Sequence, residues 1–144
     1  MRASDTNILI RLITRDDRKQ IDAAKEFVAK GAWVSHLVMA EMIWGFESVY
    51  DRTREEIATA VEMLLNHQHL CLQDQDAIEA AARAFRKHKG VSFSDALIFE
   101  IARKSGHIPL GTFDRQLAKL EDAQRLQRFA PHVGDWICGL RDTH

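Results

Sequence analysis

A chain of 144 residues and 16.5 kDa can bury one sizeable hydrophobic core, so a single domain over 1–144 is the default expectation. Hydrophobic residues at 46% and charged residues at 28% exclude a disordered chain, and a net charge of −1, from 20 Lys+Arg against 21 Asp+Glu, excludes a protein that coats nucleic acid by bulk basicity. No apolar run approaches the ~20 residues that cross a bilayer. With two cysteines and no signal-like N-terminus, Cys71 and Cys138 are expected as reduced core thiols in a cytoplasmic protein rather than as a disulfide framework.

Only 2 Pro and 7 Gly are present, so helix should dominate. A short first strand is expected to end at Ser4. Ile8, Leu9, Leu12 and Ile13 then share one face of a first helix, and Ile21, Ala24, Phe27 and Val28 share one face of a second that stops at Gly31. The apolar run Ala32-Trp33-Val34 reads as a strand, followed by helix from about Leu37 to Ser48. Ile57, Val61, Leu64 and Leu65 mark the next helix, and Leu70-Cys71-Leu72 the next strand. Asp76-Ala77-Ile78-Glu79 has the form of a capping box opening a helix to about His88, and Ser92-Phe93-Ser94-Asp95 has the same form before Leu97, Ile98, Ile101 and Ala102. Ile108–Phe113 is a strand, with a short helix from Asp114. Arg128-Phe129-Ala130 reads as an edge strand, and Trp136, Ile137 and Leu140 as a terminal helix.

Short apolar strands alternating with helices predict an α/β sandwich on a mostly parallel sheet, in which ligands bind beyond the carboxyl ends of the strands. Asp5 and Asp114 stand at such junctions, Glu41 in the first turns of the helix after Ala32–Val34, and Asp95 in the first turn after Ser92. Singly, each has an ordinary explanation, because Asp caps helices well and an acid in the first turn complements the helix dipole. Glu41 is the least ordinary, set among Val38, Met39, Ala40, Met42, Ile43 and Trp44, which is expected to draw it inward. Convergence of all four has a different meaning. Two unit charges about 4 Å apart repel by roughly 4 kcal/mol at an effective dielectric near 20, so a cluster persists only by taking up protons or binding cations. Hard oxygen donors without imidazole or thiolate favour magnesium or manganese over zinc.

Asp5-Thr6-Asn7, Ala40-Glu41-Met42-Ile43-Trp44-Gly45, Phe93-Ser94-Asp95-Ala96-Leu97-Ile98 and Thr112-Phe113-Asp114-Arg115 together resemble the motifs of the PIN domain, in family order and over residues 5 to 115. They look most like the small VapC-type toxins of bacterial toxin–antitoxin pairs. The resemblance implies a PIN-like three-layer α/β/α sandwich with a central, mostly parallel sheet of four to five short strands. It implies an endoribonuclease using Mg2+ or Mn2+, with Asp5, Glu41, Asp95 and Asp114 as catalytic acids and metal ligands and Thr6, Asn7 and Thr112 in support. A cognate antitoxin and a homodimer are implied as well. Arg2 and Ser4 replace the more apolar first strand usual in that family, and Gly111 stands where a bulkier strand residue is common. The chemistry expected is in-line hydrolysis of an RNA phosphodiester, leaving 5′-phosphate and 3′-hydroxyl ends, with no covalent intermediate.

Arg86, Lys87 and Lys89 lie in a basic run just before the Asp95 motif, and Arg11, Arg15 and Arg115 lie near acidic motifs. Each is a candidate RNA-phosphate contact or, more plainly, a solvated helix end. His67, His69 and Cys71 alternate on one expected strand face, where zinc lacks an evident fourth ligand and an ordinary face is the better reading. Trp33, Trp44 and Trp136 read as core or interface residues. Three rivals remain open. One is a PIN nuclease of RNA processing without an antitoxin. A haloacid-dehalogenase-type phosphohydrolase is disfavoured because Asn7 stands where a second Asp is needed. A non-catalytic module is disfavoured because all four acids are present.

Overall fold

Five of the six helices among the described residues begin at a small polar side chain that accepts a backbone N–H of its own first turn. Asp5 accepts from Ile8, Asp17 from Gln20, Ser35 from Val38, Thr53 from Glu56 and Ser92 from Asp95. The computed structural model describes residues 1–127. The expected edge strand at Arg128-Phe129-Ala130, the terminal helix with Trp136, Ile137 and Leu140, and Cys138 therefore lie outside the described residues.

The chain runs β1 (Arg2–Ala3), α1 (Thr6–Thr14), α2 (Arg18–Ala29), β2 (Ala32–Val34), α3 (His36–Ser48), α4 (Arg54–Leu65), β3 (Leu70–Leu72), α5 (Gln75–Lys87), α6 (Phe93–Lys104), β4 (Leu110–Thr112), a 3₁₀ turn (Leu117–Lys119) and β5 (Ala123–Arg125). Gly31, at φ +86°, turns the chain from α2 into β2 in a conformation that glycine adopts without steric cost. All strand pairs are parallel, as the βα alternation predicts. Among the described residues the five strands form a three-stranded sheet, β1-β2-β3, and a separate pair, β4-β5. The first strand is short and polar, with Arg2 exposed and Ser4 already beyond its end, so it offers little edge for a further strand.

Alternation along the strands sorts the sheet's two faces. Ala32, Val34 and Leu72 point into the core, while the register row Ala3–Trp33–Cys71 is exposed. The expectation of Cys71 as a core thiol is corrected by this alternation. Trp33 and Trp44 are 37% and 64% exposed, so neither is a core residue. The core lies between the inward face and the helices, with Leu9 of α1, Met39, Met42, Ile43 and Phe46 of α3, Ile57 and Val61 of α4, Ile78 and Phe85 of α5 and Phe93 of α6 all buried. Each such side chain contributes about 1.5–3 kcal/mol by leaving water.

Two further expectations change. Asp76–Glu79 forms no capping box. The helix starts two residues earlier, at Gln75, Asp74 precedes it in the left-handed region at φ +48° with no side-chain cap bond, and the Asp74 carboxylate pairs with Lys104 at the end of α6. The reciprocal box of this chain is Thr53–Glu56, at the start of α4. His67 and His69 sit in the turn before β3 rather than on it, where the His69 N–H donates to His67 Nδ1 at 3.1 Å.

Candidate active site

The site begins where β1 ends. Ser4 is buried, its N–H donates to the Trp33 carbonyl at 2.8 Å, and its hydroxyl donates to the Asp5 carbonyl at 2.9 Å. Asp5 is thereby tied to the sheet. Its Oδ1 also accepts the Ile8 N–H at 3.3 Å, capping α1. Only one carboxylate oxygen is used in this, and the residue is exposed.

The helical period settles the disposition of Glu41. Met39, Met42, Ile43 and Phe46 face the core, so Glu41 shares the outer face of α3 with Leu37 and Trp44 and is exposed rather than drawn inward. There the Thr6 hydroxyl, from the first residue of α1, donates to Glu41 Oε2 at 2.7 Å. This charge-assisted bond across two helices joins the Asp5 motif to the Glu41 motif.

Asp95 and Asp114 are placed by backbone caps. The Asp95 N–H donates to Ser92 Oγ at 3.1 Å, while its carboxylate does not return a bond to Ser92, so only half of the expected box forms. The Asp114 N–H donates to Thr112 Oγ1 at 3.0 Å, and Asp114 Oδ1 accepts the N–H groups of Gln116 and Leu117 at 2.8 and 2.9 Å. That carboxylate caps the 3₁₀ turn in place of the short helix expected there. The two segments adjoin, since a Cβ on Gly90, just before Ser92, would come within 2.6 Å of Gln116 Cγ, just past Asp114.

Thr6 thus links the Asp5 and Glu41 motifs, and the approach of Gln116 to Gly90 sets the Asp95 and Asp114 segments side by side. Among the described residues no three His, Cys, Asp or Glu side chains are grouped closely enough to hold a metal ion together. The donor chemistry nevertheless fits a hard divalent cation, because carboxylates and hydroxyls make up the candidate set and, among the described residues, no thiolate or imidazole bonds to them.

Of the supporting residues, Thr6 and Thr112 each bond to a site acid's side chain or backbone, whereas Asn7 lines a cleft of about 470 Å³ together with Asp5, Ile8, Arg11, Gln20 and Phe27. Arg11 is held at 2.6 Å by Asp16, which lowers the Asp16 carboxyl below its ordinary value and raises the Arg11 guanidinium. Arg86 bridges Glu55 at 3.3 Å and Glu62 at 3.0 Å, bracing α5 on α4. Arg15, Lys87, Lys89 and Arg115 are exposed. Arg54, which sequence reasoning passed over, packs under the loop before Ser92. Its one signal was its place at the first position of a helix whose N-cap, Thr53, is itself part of a reciprocal box.

Parallel strands with Asp5 and Asp114 beyond their carboxyl ends, and a hydroxyl bridging the first two motifs, describe an α/β domain with its acids at strand ends and first turns. The chain matches the PIN domain over residues 4–123 and belongs to that family. It is similar to the VapC ribonuclease of Aquifex aeolicus (strain VF5), at 27% identity over 126 residues covering 83% of this chain and 92% of that protein. No solved structure matches the chain. Among the described residues, no helix is long and apolar enough to cross a membrane.

Proposed function

We propose that this single PIN domain is a divalent-metal-dependent endoribonuclease acting as the toxin of a toxin–antitoxin pair, as a cytoplasmic homodimer restrained by an antitoxin protein. The observation that carries the reading is the Thr6–Glu41 bond, which turns one acid toward the helix that Asp5 caps. Similarity to a protein named as a VapC ribonuclease supports the choice of RNA as substrate and of toxin as role.

In this reading Asp5 and Glu41 on one side, and Asp95 and Asp114 on the other, would hold Mg2+ or Mn2+. Bound there, the cation supplies charge neutralisation at the phosphodiester and a more acidic water. The chain's own part is positional. Ser4 and the α1 cap hold Asp5 with one oxygen free, and Thr6 fixes the Glu41 carboxylate. Thr112 and the 3₁₀ turn fix Asp114. Exposed Lys87, Lys89 and Arg115, with Arg11 and Arg86 from their ion pairs, are the candidate phosphate contacts, which position RNA without reading its sequence.

The test is an RNA cleavage assay with Mg2+ or Mn2+ on wild type, Asp5→Asn and Asp95→Asn. Loss of a ligand should cost more than loss of a ligand's hydrogen-bond partner, hence at least ~100-fold in rate. Full activity in both variants would sink the reading.

A further inference from the structure

Arg54 is half-buried at the first position of α4, yet its guanidinium serves a different part of the chain. Its Nη2 donates to the carbonyls of Phe85 at 2.8 Å, His88 at 3.2 Å and Val91 at 2.9 Å, and its Cζ lies 3.9 Å from the Phe85 ring centroid. Nη2 carries two hydrogens, so three acceptors share them, and the planar group stacks while it donates. Phe85 and His88 lie at the carboxyl end of α5, where a cation also complements the helix dipole. Phe85 is itself fixed edge-on against Phe93, the first residue of α6, with ring centroids 5.9 Å apart.

These contacts converge on the five residues between α5 and α6. Val91 is followed by Ser92, the N-cap that receives the Asp95 N–H. Gly90 receives the side chain of Gln116, whose own N–H is held by Asp114. One guanidinium therefore holds the backbone that leads into the Asp95 turn and against which Gln116, next to Asp114, is packed.

We propose that Arg54 is a positioning residue for the acidic site, setting where α6 begins and, with it, where Asp95 and the Asp114 turn stand. This rests on the reading of those two acids as site residues. Lysine is a poor replacement, because its ammonium stops one bond short of Nη2 and cannot stack as a plane.

The experiment compares Arg54→Met and Arg54→Lys with Ile57→Val, a core change on the same helix serving as a control for lost stability. Hydrogen exchange of the amides of residues 88–96 should be on the order of tenfold faster in Arg54→Met, less so in Arg54→Lys, and unchanged in Ile57→Val beyond its global destabilisation. Mn2+ titration should give roughly tenfold weaker binding in Arg54→Met, an intermediate value in Arg54→Lys and the wild-type value in Ile57→Val. Exchange in the loop no faster than in Ile57→Val, with unchanged Mn2+ affinity, would overturn the proposal. A wild type that binds no Mn2+ would instead overturn the metal-site reading. The exchange comparison still decides the clamp in that case, faster local exchange supporting it and unchanged exchange refuting it. Should Arg54→Met fail to fold, Arg54→Lys carries both readouts.

Discussion

The two halves of the proposed acidic site are built in different ways. On the α1–α3 side, acids are set by contacts between elements, with Ser4 anchored to β2 and Thr6 reaching across to Glu41. On the α6–β4 side, Asp95 and Asp114 are set by local caps and by a loop held from below by Arg54. The first half joins two helices through one hydroxyl, with Asp5 also capping α1, whereas the second sets each acid within its own turn. Removing a charge and removing a cap are therefore separable, and separability is greatest where one oxygen does each task.

The sharpest way to break the comparison is to neutralise one acid on each side. Asn caps nearly as well as Asp, so Asp5→Asn should leave the metal-free protein as stable as wild type or slightly more so. Saturating Mn2+, at a hundred times its dissociation constant, should stabilise wild type by about 2.7 kcal/mol and Asp5→Asn or Asp95→Asn by far less. Thermal melts with and without metal check this, and a full metal effect in either variant would remove that residue from the site.

Next in size is Thr6→Val, which keeps the shape and deletes the bond to Glu41. Cleavage should fall about tenfold with little change in melting temperature, and Thr6→Ser should recover most of it. Equal rates in Thr6→Val and wild type would mean that the bridging hydroxyl is incidental. Asp114 tests the other half. Asp114→Ala should lose about 1 kcal/mol in denaturant unfolding through its two backbone N–H partners, while Asp114→Asn should keep that stability and still lose cleavage.

The smallest effect lies outside the site. Burial, and then the charge of His69, hold the His67 imidazole below its ordinary value. The folded chain thus favours the neutral ring, and the unfolded chain takes up the proton more readily. Its contribution is complete above about pH 6.5 and declines as pH falls below that, so His67→Asn should flatten a shallow loss of stability on the acid side in pH-dependent melts.

Much of this was legible in the chain itself. Apolar spacing placed four of the six helices among the described residues, because a helix that packs on one side must repeat its apolar residues every three or four positions. Asp5 and Asp114 were legible at strand ends, as was Asp95 in the first turn of a helix, though how the four motifs adjoin was not, since that depends on how the helices cross. The orientation of Glu41 could have been found by phasing it against Met42 and Ile43, which counts for more than the apolar character of its neighbours. Asp76–Glu79 misled because Asp74, in a left-handed conformation, starts the helix early, and no local pattern announces that its carboxylate will go to Lys104. Arg54 was hidden for a related reason, since its three acceptors are carbonyls more than thirty residues away.

The connection lengths described for the fold also bear on the order in which the site is assembled. Residues 88–92 suffice to join α5 to α6, whereas residues 4–31 separate β1 from its partner β2. Closing the longer loop costs about 1.5 kcal/mol more in chain entropy. The helical hairpin bearing Asp95 is thus the cheaper half to form from a disordered chain, and the β1 pairing that anchors Asp5 the dearer. Opening of the β1 pairing would release Ser4, and with it the anchor of Asp5, without breaking the hairpin of α5 and α6.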